Sequence, residues 1–326
     1  MNISDTLSEK SLTQGRIDDE DIIDILEGKV PFLQVLDAAY AVRRHFYGNR
    51  VRVQVIQNVK NGGCSEDCGY CAQSRNTTNT SDCYPFQSDE EIMEGARRAH
   101  ENGAYRYCLV FSGRKQPKTD IARICGVVRE IKKRYSMDVC VSAGFIGADE
   151  AAMLRDAGVG RYNHNLNTSA DYYAEICSTH GYADRLATIR TAKNVGLEVC
   201  SGVIIGMGES HDDILGMMND LRRVDVKSIP VNFFMPVEGH RIKRAFSLMP
   251  EYCVRVLCAF RLAFPPAELR VAGGREYHLR SLQAMSLYAV NSLFAKGYLT
   301  RGGDSFEETK RMIDDAGFVI EAVEEE

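Results

Sequence analysis

The chain has 326 residues, 44% of them hydrophobic and 26% charged, the proportions of an ordinary soluble globular protein. Its net charge of −5, with Lys and Arg scattered through helix-like stretches, excludes the broad basic field that attracts nucleic acid. No apolar run reaches the ~20 residues of a membrane span, and the acidic start MNISDTLSEKSLTQGRIDDEDIIDILEGK lacks a secretion-signal pattern.

Residues 1–47 read as a helical extension, since IIDILEG and PFLQVLDAAYAVRRHFYG carry apolar residues at helix spacing. After Gly48 the pattern changes to β-rich apolar runs at 51–59, 105–113, 138–144 and 161–167. Four more follow at 197–207, 228–237, 268–274 and 291–299. Amphipathic helix signals fall between and after them, at 88–102, 118–135, 148–157, 182–195, 211–223, 250–264, 279–289 and 306–315. Strand alternating with helix eight times predicts an α/β fold of the (β/α)8 TIM-barrel type over 48–318. Residues 319–326 read as an acidic tail. In such barrels the chemistry sits at the C-terminal ends of the strands.

A chain of this kind is expected in the cytoplasm, where its eleven cysteines read as including metal or cluster ligands rather than disulfides. Three of them, Cys64, Cys68 and Cys71, follow the first strand in NGGCSEDCGYCAQS, a C-x3-C-x2-C spacing. Structural zinc wants four ligands in two tight pairs, and neither Cys83 nor His100 supplies a second pair. Three thiolates fit three irons of an iron–sulfur cubane and leave the fourth open to an exogenous ligand. Cys108, Cys140 and Cys200 sit inside predicted strands, where a barrel wants branched apolar residues, and Arg270 lies in a fourth strand. A buried arginine is costly unless it meets an anion or another electron-rich partner.

With Tyr70 just before its last cysteine, the C-x3-C-x2-C loop is similar to the signature of radical S-adenosylmethionine enzymes. GGCSEDCGYCAQS, RYNHNLNTS, CSGVIIGMGES, SIPVN and ELRVAGGRE, in that order over about 50–318, resemble the biotin synthase family. The resemblance implies a 4Fe–4S cluster on Cys64, Cys68 and Cys71, with S-adenosyl-L-methionine chelated at its free iron. It implies a 2Fe–2S cluster on Cys108, Cys140, Cys200 and Arg270 whose sulfide is inserted into dethiobiotin to form biotin. By the same resemblance Tyr70 and Ile204 contact the adenine, and Arg185 the methionyl carboxylate. Asn165 and Asn167 lie near the ribose, and Asn163 and Asn232, with Asn165, near the dethiobiotin ureido group. A flavodoxin or ferredoxin reductant, iron–sulfur assembly machinery and a homodimer are implied as partners.

Other signals are plainer. Cys125 and Cys258 fall on helix-periodic apolar stretches and read as core, whereas nothing suggests a partner for Cys83, Cys177 or Cys253. His164 reads equally as a general base or as a core hydrogen-bonding residue. GVIIGMG lacks the Lys and Ser/Thr of a phosphate loop. Three positions depart from the family: Ser65 for the usual proline, Asn167 for a frequent aspartate, and VEGHRI (237–242) for a Gly-Thr-Pro-Leu stretch. The rival readings are another radical enzyme on the same scaffold, of the hydrogenase-maturation or methylornithine-synthase type, and a non-enzymatic iron–sulfur protein.

Overall fold

The alternation that begins after Gly48 becomes strand β1 (Arg50–Lys60) in a computed structural model that describes residues 2–76, 83–299 and 302–323. Ahead of it lie helices α1 (Ile3–Gln14), α2 (Asp19–Leu26) and α3 (Phe32–Tyr47), the expected extension. Next come β2 (Arg106–Phe111), β3 (Asp138–Ser142), β4 (Arg161–Asn163), β5 (Glu198–Cys200) and β6 (Val203–Ile205). Strands β7 (Ser228–Phe233), β8 (Glu268–Val271) and β9 (Ser292–Ala295) complete the ring. Every pairing is parallel, and β9 pairs with β1, so the sheet closes on itself. Counting β5 and β6 as one interrupted strand, the result is the eight-stranded barrel that the alternation predicts.

Local chemistry explains why the connecting helices start where they do. The helices at Asp89–Glu101, His211–Arg223 and Phe306–Asp315 each begin after a serine whose hydroxyl accepts the N3 amide. The acidic N3 residues Glu91, Asp213 and Glu308 reach back to that serine's own amide, which satisfies two otherwise orphaned donors. Helix α3 and the helix Pro250–Ala263 each carry a buried arginine to the bottom of the barrel. Arg43 donates to the Gly48, Arg50 and Val290 carbonyls, and Arg261 to the Ala267 and Ala289 carbonyls and the Asn291 side chain. Their fork-shaped donor sets close backbone ends that apolar residues would leave unpaired.

The structure departs from the pattern-based reading in four places. The fifth strand, expected as 197–207, breaks at Ser201–Gly202, where Gly202 packs so close to the neighbouring strand that a Cβ would overlap the Pro230 carbonyl. The helix expected at 279–289 is a short helix (Arg275–Leu279), a 3-10 turn (Arg280–Leu282) and another short helix (Gln283–Ser286). Arg280, at φ +50°, interrupts the helical path. The last barrel strand ends at Ala295 rather than 299, since Lys296, Gly297 and Leu299 all have positive φ. Finally, the segment expected as a tail opens with strand β10 (Val319–Ile320), paired with Arg50 and Val51 of β1. Glu321 then forms an ion pair with Arg52, so the ordered chain continues past the expected boundary at 318.

Gly202→Ala tests the broken strand. It should lower the unfolding free energy of the cluster-free chain by at least about 2 kcal/mol, as backbone overpacking does, measured by denaturant titration.

Candidate functional site

Past Lys60 the chain turns through Gly62 and Gly63, at φ +78° and +63°. A side chain at Gly62 would collide with Cys83, so this turn needs glycine on two counts. The turn delivers Cys68, buried, and Cys64 and Cys71, half-buried, to the wall of a cavity of about 310 Å³. Tyr70, Arg185 and Ile204 line that same cavity, as do Asn163, Asn165, Asn167 and Asn232. It lies at the C-terminal ends of the strands, where barrels carry their chemistry.

Each polar side chain there is held by a specific partner. Arg185 donates from Nε to the Tyr173 hydroxyl and from Nη1 to the Asn165 carbonyl at 2.9 Å. Its Nη2 meets His180 Nε2 at 3.1 Å and the Tyr70 hydroxyl at 3.5 Å. Asn167 has φ +72°, a left-handed conformation that asparagine tolerates better than most residues, and donates to the Tyr70 hydroxyl at 2.6 Å. Asn165 accepts from Asn163 and from the Gly202 amide, both at 3.1 Å. Asn232 bridges the Val203 carbonyl and the Gly273 amide, each at 3.0 Å, which leaves one N–H and one lone pair unused. His164 is buried, and its Nε2 has no partner among the described residues. Burial, then the nearby Arg185 and His180, hold its pKa well below the usual imidazole value, so the ring is neutral.

Below the cavity is a narrower slot of about 30 Å³, lined by Cys108, Cys140, Arg270, Phe294 and Tyr298 among others. Cavity and slot share Val110, Ser142, Asn163 and Tyr298 as walls. The parallel ladder sets Cys108 of β2 directly opposite Cys140 of β3, and Asn163 of β4 opposite Cys200 of β5. Cys140 hydrogen-bonds to Cys108 and so lowers the Cys108 pKa, while Cys140 itself is pushed well up. Cys200 Sγ receives Asn163 Nδ2 at 3.3 Å and Arg270 Nη1 at 3.7 Å. Nη1 has no other partner among the described residues, so it is the edge of the guanidinium left to face the slot. Three thiols and one under-used arginine fit a small iron–sulfur core. The Cys64, Cys68 and Cys71 set, open to the larger cavity on its far side, fits a cubane with one corner left over.

Arg270 can be buried because of a residue the sequence reading passed over. Glu268, two positions earlier on β8, is 3% exposed, accepts from three arginines and forms an ion pair with a fourth, Arg161. Arg270 Nη2 lies at 2.6 Å, Arg106 Nη1 at 3.0 Å, Arg161 Nη1 at 3.1 Å and Arg52 Nη1 at 3.2 Å. Gln54 Nε2 at 2.8 Å and Ser228 Oγ at 3.2 Å complete its shell. The carboxyl is desolvated, but those arginines hold its pKa well below the usual carboxylate range. Glu198, Asp138 and Glu321 pair with the outer edges of Arg161, Arg106 and Arg52.

Two further residues near the first trio also escape a reading by spacing. Cys177 Sγ lies 3.7 Å from Cys68 Sγ, and His180 Nδ1 lies 3.4 Å from Cys177 Sγ. Cys68, Cys177 and His180 are all buried. In the cluster-free chain Cys68 is the donor of the hydrogen bond between the two sulfurs, which lowers the Cys177 pKa against burial and raises that of Cys68; a Cys68 bound to iron has no proton and no longer exerts that pull. The GMGES turn is not a ligand loop: Glu209 folds back to accept the Gly206 and Met207 amides, and burial raises its pKa to about 6.

Comparison with known proteins places these residues in context. Residues 58–221 match the Radical SAM superfamily, and 230–319 match the Biotin and Thiamin Synthesis associated domain. The biotin synthase of Magnetococcus marinus is 50% identical over 91% of this chain and 92% of its own length. That of Leptospira interrogans is 48% identical over 95% of this chain and 89% of its own. The crystal structure of methylornithine synthase superposes with a TM-score of 0.83 at 19% identity, covering 97% of this chain and 98% of that one. The FeFe-hydrogenase maturase from Carboxydothermus hydrogenoformans gives 0.83 at 16%, covering 98% of this chain and 79% of that one. The last two share the fold, and the identity of half the residues lies elsewhere.

Glu268→Gln, which keeps the shape and removes the charge, should destabilise the chain by about 3–5 kcal/mol at pH 7. Because the folded-state pKa is depressed, this contribution is present above the ordinary value of 4.5 and is lost as pH falls through the lower folded value. The gap between wild type and variant in urea midpoint should therefore narrow below pH 4.5.

Proposed function

The chain belongs to the biotin synthase family of radical S-adenosylmethionine enzymes, and from that we propose how its residues divide the work of converting dethiobiotin to biotin. Cys64, Cys68 and Cys71 would hold the 4Fe–4S cluster beside the cavity that would take S-adenosylmethionine, and the pair would supply the one-electron chemistry that activates an unreactive carbon. Cys108, Cys140, Cys200 and Arg270 would hold the 2Fe–2S cluster, which would supply the inserted sulfur and would need iron–sulfur assembly machinery to restore it.

The protein's own part is to position and to shield. Arg185 is held in place from all three nitrogens, by Tyr173, Asn165 and the His180–Tyr70 pair, so its guanidinium is pre-aimed as the cation for the methionyl carboxylate. Tyr70 and Ile204 give the adenine an apolar berth, and Asn165 and Asn167 bond the ribose hydroxyls. Asn163 and Asn232, with Asn165, address the ureido group of dethiobiotin, for which an amide offers donor and acceptor together. His164 stays neutral and takes no proton-transfer role, since radical abstraction needs no base. One observation carries this reading: the cavity of the first cysteine trio and the slot lined by Cys108, Cys140 and Arg270 share Asn163, Ser142, Val110 and Tyr298 as walls. A substrate seated against those walls meets both a hydrogen acceptor and a sulfur source without leaving the barrel.

A flavodoxin or ferredoxin supplies the electron, and the chain works as a homodimer in the cytoplasm. No helix among the described residues is long and apolar enough to cross a membrane.

Anaerobically reconstituted enzyme with dethiobiotin and a reductant should yield biotin; 5′-deoxyadenosine without biotin would refute the assignment. Cys68→Ala should abolish 5′-deoxyadenosine formation, followed by chromatography. Cys108→Ala, Cys140→Ala and Cys200→Ala should each lose the 2Fe–2S absorption while still cleaving S-adenosylmethionine; retention of that signal in all three would discard the auxiliary site.

A further inference from the structure

Cys177 is the one thiol beside the first cysteine trio that the function does not use. Its placement is tightly fixed. The Gly69 amide donates to the Ile176 carbonyl at 2.7 Å, and the Asp67 amide to Thr179 Oγ1 at 3.2 Å. In return the Ser178 and Thr179 amides donate to Asp67 Oδ1 at 2.9 and 3.1 Å. These reciprocal bonds clamp the cysteine loop to residues 176–180 and bring the Cys177 and Cys68 sulfurs to 3.7 Å. That separation is a hydrogen-bond distance for sulfur. Cys177 does not line the cavity that Cys64, Cys68 and Cys71 share, so it is not a fourth corner ligand.

We propose that Cys177 is a positioning residue for the 4Fe–4S cluster: its thiol donates a hydrogen bond to the Cys68 sulfur and makes that cluster easier to reduce. The inference rests on the reading that Cys64, Cys68 and Cys71 hold the cluster. Once Cys68 binds iron it is a thiolate with no hydrogen to give, and the only hydrogen between the two sulfurs is on Cys177. The other polar atoms near Cys177 are already engaged: Asp67 Oδ1 with the Ser178 and Thr179 amides, Thr179 Oγ1 with the Asp67 amide and Glu66, His180 Nδ1 with Glu66 and His180 Nε2 with Arg185. The Cys68 sulfur is therefore the acceptor in need. A hydrogen bond to a cluster sulfur offsets negative charge, which favours the reduced state over the oxidised one. Reduction is the event on which sulfonium cleavage depends, so this thiol acts ahead of the chemistry without touching substrate.

The plain alternative is packing, since Cys177 also joins an apolar cluster with Cys68, Tyr173, Ile176, Met207, Phe234 and Ile242. Potentiometric titration followed by electron paramagnetic resonance separates the two. Full-length chain carrying both clusters is compared with Cys177→Val, Cys177→Ala and Cys177→Ser. Val and Ala remove the donor and keep an apolar filler. Held at the wild-type midpoint, each should show a reduced-to-oxidised ratio three- to tenfold lower, the latter ~59 mV for one electron. Cys177→Ser restores a donor and should recover part of the shift, whereas the 2Fe–2S midpoint should not move. Val or Ala variants with full cluster content at the wild-type midpoint would overturn the proposal, and so would a Ser variant shifted as far as Val. Cys68→Ala that still shows the 4Fe–4S signal would instead refute the underlying cluster assignment.

Discussion

A carboxylate buried at the floor of the barrel, Glu268, carries four arginines from four strands. One anion cannot balance four cations, and the structure meets the excess with Asp138, Glu198 and Glu321 at the outer edges of three of them. The fourth, Arg270, has no second carboxylate; its spare edge faces Cys200 and the slot. The lower layer of the barrel is thus a polar lattice, where branched apolar side chains are usual. It leaves one guanidinium edge, Nη1 of Arg270, whose partner among the described residues is the Cys200 sulfur, so the lattice holds a donor ready beside Cys108, Cys140 and Cys200.

The two cysteine sets are built to different tolerances, and their roles explain why. Cys108 and Cys140 sit on neighbouring parallel strands and Cys200 two strands further on, where register fixes their spacing and a one-residue slip would turn every thiol outward. On the proposed assignment, a cluster that is stripped and rebuilt needs a frame that survives its absence. Cys64, Cys68 and Cys71 sit instead on a glycine-turned loop, held by the reciprocal amide–carboxylate bonds of Asp67 with Ser178 and Thr179. A loop can wrap three corners of a cubane as no strand can, and the clamp supplies the rigidity that loops lack.

Much of this was legible in the sequence because it is local. Eight strand-and-helix alternations, the cysteine spacing and polar NHN in a strand each carry their signal within a dozen residues, and the barrel, the loop and the cavity wall follow. Glu268 was not legible, since its partners Arg106 and Arg52 lie 162 and 216 residues away and ELRV reads as an ordinary polar strand start. Cys177 and His180 were missed for the same reason: they meet Cys68 and Glu66 across 109 and 114 residues. The interrupted fifth strand depends on a neighbour's backbone, which no pattern along its own residues reveals. Arg185, which alone reads as a surface residue, is drawn inward by Tyr173 and the Asn165 carbonyl.

The VEGHRI stretch (237–242) is one of the three departures from the expected family pattern, and its contacts say what the change touches. The Arg241 amide donates to the Gly69 carbonyl at 2.8 Å, and a side chain at Gly69 would press on the Arg241 backbone. Ile242 joins Cys68, Met207 and Phe234 in the apolar cluster behind the loop. Only Val237 of the stretch lines the main cavity. The departure therefore alters the cover over the cysteine loop far more than the substrate's berth. An apolar cover of this kind raises the strength of every hydrogen bond beneath it by excluding water. The segment that differs from the family thus packs behind the same cysteine that receives the Cys177 thiol, and the two features bear on one sulfur.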